Sequence, residues 1–210
     1  MNKIKVILVD DHAIVRAGFR MLLSTSNQID VIAEAERGEQ AIQLAMEKPA
    51  TVIIMDLSMP GIGGLEAIRR ISERNPEIKI LVFSVHDEQV YIQRALDAGA
   101  KGYVNKNSAP DILIEAVKHI AKGHQYIEQG LIKNGSSQKS ELNYQKIISD
   151  FTPREFDVFI LLSKGMTIHK IADELCLGYK TIANYSTQIK KKLQVSTLAE
   201  LAHIAISLDQ

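Results

Sequence analysis

Two adjacent carboxylates stand directly after an apolar run near the start of the chain. The run is Ile4–Val9, and Asp10 and Asp11 follow it at once. Like charges at this spacing repel each other, and a strand does not need them in order to fold. The pair therefore raises the question of which chemistry two neighbouring acids can serve at the end of a strand.

Three more residues capable of chemistry stand at the ends of later apolar runs. Asp56 follows "VIIM", Ser84 ends "ILVFS", and Lys106 follows "GYVN". If these runs are parallel strands, their carboxyl ends meet at one edge of the sheet, where sites form near the topological switch point. The three carboxylates, the hydroxyl and the ammonium would then converge there. Each acid taken singly has another interpretation, as a cap of the helix that follows it.

A shared cation resolves the repulsion among three carboxylates. Hard oxygen ligands with few protein contacts suit Mg²⁺, which keeps some of its waters. A carboxylate neutralised in this way, such as Asp56, can act as a nucleophile towards phosphorus. The oxygens of the resulting acyl phosphate need positive and hydrogen-bonding partners, which Lys106 and Ser84 would supply.

The first 123 residues alternate between apolar, β-branched runs and stretches of helical period. Such alternation predicts βαβ units and a parallel sheet covered by helices on both faces. We therefore predict an α/β fold with a doubly wound five-stranded parallel sheet, its strands at Ile4–Val9, Val31–Ala33, Val52–Met55, Ile80–Phe83 and Gly102–Val104.

A polar stretch and a helical tail follow. Residues 124–149, which include "KNGSSQKSELN", are predicted to be a linker, with a short helical start near residues 127–132. Residues 150–210 carry four helical patterns, the first opened by the capping box of Thr152 and Glu155 with Pro153 between them. We predict an all-α domain of four helices here.

The acid pair, "MDLSMPG", "FSV" and "YVNK" together resemble the receiver domain of two-component response regulators, over residues 1 to about 123. The resemblance implies that Asp56 accepts a phosphoryl group from a phosphohistidine on a sensor histidine kinase. It further implies which groups hold Mg²⁺, namely Asp11, Asp56 and the backbone carbonyl of Ser58, with Asp10 assisting.

The same resemblance implies a switch pair. Ser84 and Tyr103 match its two positions, so that the hydroxyl moves to the phosphoryl group while the aromatic ring turns inward. His86, near the mouth of the same site, is predicted to be a surface residue.

The third helix of the tail has a polar, acid-free face. The segment from Leu175 to Ala199 contains four lysines and no acid. Lysines contact phosphates, and Asn and Thr side chains reach base edges in the major groove. The residues predicted to meet DNA are Lys180, Thr181, Ala183, Asn184, Thr187 and Lys191. On the opposite face Ile182, Ile189 and Leu193 point inward, with Tyr185 or Ser186 between them.

Residues 151 to about 206 resemble the LuxR-type helix-turn-helix. A receiver followed by this tail resembles the NarL/FixJ group of response regulators, and "PGIGGLEA", "LCL" and "ANY" favour its GacA-like branch. The resemblance implies a transcription regulator that binds double-stranded DNA as a homodimer. The stripe of Leu198, Leu201, Ala202 and Ala205 is the candidate surface for packing a twin.

Other functions fit the pattern less well. The tail could act as a dimerisation or protein-binding output instead of a DNA reader. A haloacid-dehalogenase-like phosphatase needs a second acid two residues after its nucleophile, where this chain has Ser58, so we predict no enzyme. RNA readers usually expose aromatic residues for stacking, and the predicted face has none.

Composition bounds the setting of the protein. The chain has 210 residues, zero formal net charge and a single cysteine, so no intramolecular disulfide can form. We find no signal peptide and no apolar run long enough to cross a bilayer. We therefore expect a cytoplasmic protein with no membrane association.

Overall fold

The computed structural model describes residues 3–131 and 141–208, and they form two compact units. The first unit lies within Met1–Ile132 and the second within Lys133–Gln210. The predicted linker, 124–149, is therefore divided between them. Its stretch "NGSSQKS" and neighbouring positions at 132–140 lie outside the described residues.

A parallel sheet forms the centre of the first unit. Its strand order is β2-β1-β3-β4-β5-β6, and every pair in it is parallel. The strands are β1 Ile4–Val9, β2 Ile29–Ala35, β3 Val52–Met55, β4 Lys79–Ser84, β5 Gly102–Asn105 and β6 Tyr126–Ile127. The helices between them are α1 Ala13–Ser24, α2 Gly38–Glu47, α3 Gly64–Arg74, α4 Gln89–Asp97 and α5 Pro110–Ala121. The predicted doubly wound α/β fold is confirmed.

The number of strands was predicted incorrectly, because β6 adds a sixth strand to the sheet. Tyr126 N–H donates to the Lys101 carbonyl at 3.0 Å and Glu128 N–H to the Tyr103 carbonyl at 3.0 Å, which extends the sheet beyond β5. The helical start predicted near residue 127 is therefore wrong. A strand of two residues is too short to show an alternating pattern in the sequence. It forms because the edge of β5 offers unpaired backbone groups.

Burial on both faces explains the apolar runs. All four residues of β3 are buried, as are the last four of β1, because helices cover both sides of a parallel sheet. Polar side chains are therefore confined to the ends of these strands, and the strand order places the ends of β1 and β3 side by side.

Gly64, the first residue of α3, permits a close approach behind Asp56. A Cβ at this position would lie 2.1 Å from the Asp56 carbonyl oxygen, a distance that no side chain can occupy. Gly64 N–H also donates to the Leu57 carbonyl at 3.0 Å. Glycine here lets α3 begin directly against the turn that follows β3 and fixes the backbone of Asp56.

The second unit is helical. Its described helices are α6 Glu141–Ser149, α7 Pro153–Ser163, α8 Ile168–Glu174, α9 Tyr179–Leu193 and α10 Leu198–Ser207. The four predicted tail helices are confirmed as α7 to α10. A further helix, α6, lies in the predicted linker, so the second unit has more than the four helices predicted. Among the described residues, no helix combines the length and apolar character needed to cross a membrane.

Glu155 joins the start of α7 to the end of α9. One carboxylate oxygen accepts the Thr152 N–H at 2.9 Å within the predicted capping box, and the other accepts Lys192 Nζ at 2.6 Å. Glu155 is 4% exposed. Although burial raises the pKa of this carboxyl, the hydrogen bonds from Lys192 and Thr152 outweigh it and hold the pKa below its usual value.

We expect Glu155→Gln to lower the free energy of unfolding of the second unit by about 1 to 3 kcal/mol, because the charged hydrogen bond from Lys192 is lost, while glutamine can still accept the Thr152 N–H of the capping box. Since the folded-state pKa is depressed, this stabilisation is present at neutral pH and is lost as the pH falls through the folded value. Amide hydrogen exchange of α7 in the full chain measures the change. The exposed Glu174 supplies the control, Glu174→Gln, whose exchange should match the wild type. Equal protection of α7 in both variants would contradict this role for Glu155.

Candidate functional site

Lys106 joins two buried carboxylates at the carboxyl edge of the sheet. Its Nζ lies 2.5 Å from Asp10 Oδ2 and 2.7 Å from Asp56 Oδ2. Asp10 follows β1, Asp56 follows β3 and Lys106 follows β5, so the strand order brings residues far apart in sequence to one point. Asp10 is 2% exposed and Asp56 is 3% exposed. The structure thus brings these three predicted residues together.

The two oxygens of Asp56 have different partners. Oδ1 accepts the Leu57 N–H at 2.7 Å and lies 3.4 Å from the Ser58 N–H, while Oδ2 faces Lys106. Burial raises the pKa of the Asp56 carboxyl, although the Lys106 ammonium opposes this rise. Burial alone would lower the pKa of Lys106, but the charges of Asp56 and Asp10 raise it above its usual value. The ammonium therefore favours the ionised form of Asp56, against the effect of burial.

Arg16 holds the backbone of Asp10. This buried residue of α1 donates from Nη1 to the Asp10 carbonyl at 2.6 Å and places Nη2 3.5 Å from Glu36 Oε1. The sequence prediction missed it. A signal exists, because Arg16 precedes the buried Leu23 by seven residues, which puts both on the inward face of α1.

Asp11 and His12 form a cluster with Asp10 that suits a cation. These three side chains each offer one ligand atom within 4.8 Å of the others, and Asp56 does not belong to that group. Asp11 Oδ1 is buried and accepts no hydrogen bond from the described residues, although His12 Nδ1 lies 2.8 Å away. A buried carboxylate oxygen without a hydrogen bond fits the oxygen donor set that Mg²⁺ prefers.

Ser84 and Tyr103 meet at His86. Tyr103 is 0% exposed and its hydroxyl donates to the His86 carbonyl at 2.9 Å, while His86 N–H donates to Ser84 Oγ at 3.3 Å. Burial raises the pKa of the Tyr103 hydroxyl, so it stays protonated and can donate. The ring of Tyr103 thus points inward in this structure.

The prediction that His86 is a surface residue is wrong. His86 is 9% exposed, its ring stacks on Tyr91 with centroids 4.1 Å apart, and its Nε2 lies 2.8 Å from Ser58 Oγ. These contacts depend on the course of the chain between β4 and α4, which carries no periodic signal. His86 therefore links Ser58, beside Asp56, to Tyr103.

The predicted DNA-binding face of α9 is largely open. Ile182, Ser186, Ile189 and Leu193 are buried, which identifies Ser186 and not Tyr185 as the fourth inward residue. The predicted contact residues are exposed, except for the half-buried Ala183; they are Lys180, Thr181, Ala183, Asn184, Thr187 and Lys191.

Two polar side chains of α9 are already engaged by contacts within the second unit. The Thr187 hydroxyl donates to the Ala183 carbonyl of its own helix at 3.0 Å, so its proton is already engaged. The Lys192 ammonium is held by Glu155 and lies 5.4 Å from the centroid of the Phe151 ring. Of the three consecutive lysines at the end of α9, Lys192 therefore serves the fold of the second unit.

The apolar stripe predicted on α10 is only partly available. Leu201 is 0% exposed because it packs inside the second unit, whereas Leu198 is 43% exposed and Ile206 is 62% exposed. The stripe as predicted is therefore wrong in including Leu201.

Two family models match the chain. Residues 6–118 match the response regulator receiver domain, and residues 149–205 match the bacterial regulatory proteins of the luxR family. The two matches together span both units of the structure.

Known proteins resemble the chain over nearly its full length. The transcriptional activator protein ExaE of Pseudomonas putida is 41% identical over 203 residues, which cover 96% of this chain and 95% of ExaE. The response regulator GacA of Pseudomonas aeruginosa is 33% identical, covering 97% of this chain and 95% of GacA. A structure of the response regulator RcsB of Salmonella typhimurium superposes with a TM-score of 0.68 at 29% identity and covers 100% of both chains.

These matches agree with the receiver and helix-turn-helix motifs of the sequence. The chain therefore belongs to the two-component response regulators that join a receiver to a LuxR-type DNA-binding domain, in the GacA-like branch of the NarL/FixJ group.

Proposed function

We propose that Asp56 accepts a phosphoryl group from a phosphohistidine of a sensor histidine kinase, and that this event controls DNA binding by α9. The contact of Lys106 with Asp10 and Asp56, at 2.5 and 2.7 Å, carries the proposal. It favours the ionised form of a buried carboxylate and places a cation where the phosphoryl oxygens of a modified Asp56 would lie.

The transfer requires one bond to form as another breaks. A carboxylate oxygen of Asp56 attacks phosphorus in line with the phosphohistidine nitrogen, and the P–N electron pair returns to the imidazole. The Leu57 N–H holds Oδ1 and thereby orients the carboxylate. The Lys106 ammonium and the Ser84 hydroxyl stabilise the phosphoryl oxygens.

Asp10, Asp11 and Asp56 would hold Mg²⁺, together with the backbone carbonyl of Ser58. The buried Asp11 Oδ1, which is paired with His12 Nδ1 and accepts no hydrogen bond from the part of the chain that the structure describes, supports this ligand set. When bound, Mg²⁺ neutralises the charge of the carboxylates and of the incoming phosphoryl group. Lys106, whose ammonium contacts both Asp10 and Asp56, would lie within reach of the phosphoryl oxygens.

Ser84 and Tyr103 would transmit the change. In this structure Ser84 Oγ accepts a hydrogen bond from the His86 N–H at 3.3 Å. This hydrogen bond would be lost when the hydroxyl turns to the phosphoryl group. The Tyr103 hydroxyl is bound to the carbonyl of the same residue. A small electrostatic event at Asp56 would therefore alter the chain between β4 and α4, where a two-state element can respond.

The second unit would read double-stranded DNA as a homodimer. RcsB, to which the chain is similar, has been solved bound to promoter P1flhDC in the presence of the phosphomimetic BeF3- and as two dimers on two parallel DNAs. Asn184 and Thr181 would reach base edges in the major groove, and Lys180 and Lys191 would contact phosphates. We place this activity in the cytoplasm, where sensor kinase and chromosome are both accessible.

We expect Asp56→Asn to abolish the gain in duplex affinity produced by a small acyl-phosphate donor, because the amide cannot form the acyl phosphate. In the wild type this gain should be about tenfold. Fluorescence anisotropy with duplexes selected from a random-sequence library measures it. Asp30→Asn, at an exposed position of β2, is the matched control and should respond as the wild type does. A wild-type protein that neither gains affinity nor dimerises on treatment would overturn the proposed switch.

We expect Lys191→Met to weaken binding to all duplexes alike and to reduce the slope of log affinity against log salt by about one, since one phosphate contact is lost. Lys122→Met removes the same charge from an exposed position after α5 and should leave the slope unchanged. Titrations at several salt concentrations separate the two variants. Identical slopes would remove Lys191 from the interface, and would favour a protein-binding role for this face.

A further inference from the structure

Glu128, just after β6, is hydrogen-bonded to the loop that carries Lys106. One carboxylate oxygen accepts the Asn105 N–H at 2.9 Å, and the other accepts the Ser108 hydroxyl. Asn105 and Ser108 stand on either side of Lys106 in the sequence. The carboxylate therefore bridges the two sides of the short loop between β5 and α5.

The loop is also closed by its own contacts. Asn105 Oδ1 accepts the Asn107 N–H at 2.8 Å, and the Asn105 carbonyl accepts the Ser108 N–H at 3.1 Å. Lys106 N–H donates to the Ser84 carbonyl at 2.8 Å. The backbone of Lys106 is thus held directly by β4. It is also held indirectly by Glu128, which binds the neighbouring residues Asn105 and Ser108.

The position of Glu128 depends in turn on the edge of the sheet. Its N–H donates to the Tyr103 carbonyl at 3.0 Å, which makes it continuous with the β5–β6 pairing. Tyr103 is the proposed switch residue, and the second unit begins shortly after Glu128, at Lys133. Glu128 therefore lies between the Lys106 loop and the chain that leads to the second unit.

A held loop matters because the lysine stem is long and flexible. The lysine side chain is a flexible stem of four carbons, so the position of its ammonium is fixed only if the backbone of the residue is also fixed. Lys106 Nζ must reach Asp10 and Asp56 together within 2.7 Å. A carboxylate that accepts two hydrogen bonds is a stronger anchor for this loop than a neutral group of the same size.

We propose that Glu128 is a positioning residue for Lys106 and that it couples the state of Asp56 to the start of the segment leading to the second unit. The proposal rests on Asp56 being the phosphoacceptor. When the Lys106 ammonium engages a phosphoryl group, the loop tightens on Glu128 and stabilises β6. Because coupling between two sites is reciprocal, loss of the Glu128 contacts weakens the binding of a phosphoryl mimic at Asp56.

The test compares full-length wild type with Glu128→Gln, Ser108→Ala and the control Glu115→Gln. Glu115 is an exposed carboxylate of α5 outside these hydrogen bonds. Beryllofluoride affinity is measured in the presence of Mg²⁺. Amide hydrogen exchange of Asn105 and of residues 126–128 is measured with and without beryllofluoride, and global unfolding is followed for every variant.

We expect Glu128→Gln to weaken beryllofluoride binding about tenfold and Ser108→Ala about threefold, because the first disturbs two hydrogen bonds and the second removes one. Glu115→Gln should bind as the wild type does. In the wild type beryllofluoride should slow exchange of the Glu128 N–H, and in Glu128→Gln this response should be lost. A merely structural role would lower global stability without removing the response.

Wild-type affinity in Glu128→Gln together with an unchanged exchange response would overturn this inference while leaving Asp56 as the phosphoacceptor. Failure of the wild type to bind beryllofluoride at all would overturn the proposed function itself, and this inference with it. Ser108→Ala keeps the carboxylate and β6 intact, so it decides the matter if Glu128→Gln does not fold.

Discussion

The ammonium of Lys106 lies between two carboxylates, Asp10 and Asp56, that are almost removed from water. Burying either acid without a cation would cost several kcal/mol, because the charged form loses its hydration. The pairing offsets part of this cost and favours the ionised form of Asp56, which is the state that a nucleophile towards phosphorus requires. Much of the first unit can be understood as the means of holding these three side chains together.

Each of the three is fixed by its backbone and not by its side chain alone. Arg16 holds the carbonyl of Asp10, and the missing side chain of Gly64 lets α3 begin against the turn of Asp56. The backbone of Lys106 is held by the Ser84 carbonyl on one side, and on the other by Glu128, which binds Asn105 and Ser108. The supporting contacts come from a helix, a glycine and a sixth strand, so the geometry of the site is a property of the whole unit.

In the second unit, too, a charged side chain serves the fold and is not available to a partner. Three consecutive lysines end α9, yet Lys192 is turned towards the buried Glu155 and the ring of Phe151. This contact ties the end of α9 to the capping box of α7. The exposed polar face is thereby presented by a helix whose far end is fixed, which favours a defined approach to a DNA groove.

The sequence by itself determined the class of fold, the strand-end acids, Lys106 and the face of α9. These features leave local signals, namely apolar runs, capping residues and helical period, which depend on near neighbours only. Tertiary structure alone decided the pairing of Tyr126 and Ile127 with β5, the burial of His86, and the partners of Lys192 and Glu128. Each of these contacts joins residues that are distant in sequence. A single contact of this kind produces no periodic pattern in the sequence, so it could not be predicted from the sequence. The repulsion between Asp10 and Asp11 was readable from their adjacency, but the cation that Asp10 faces, 96 residues away, was decided by the order of the strands.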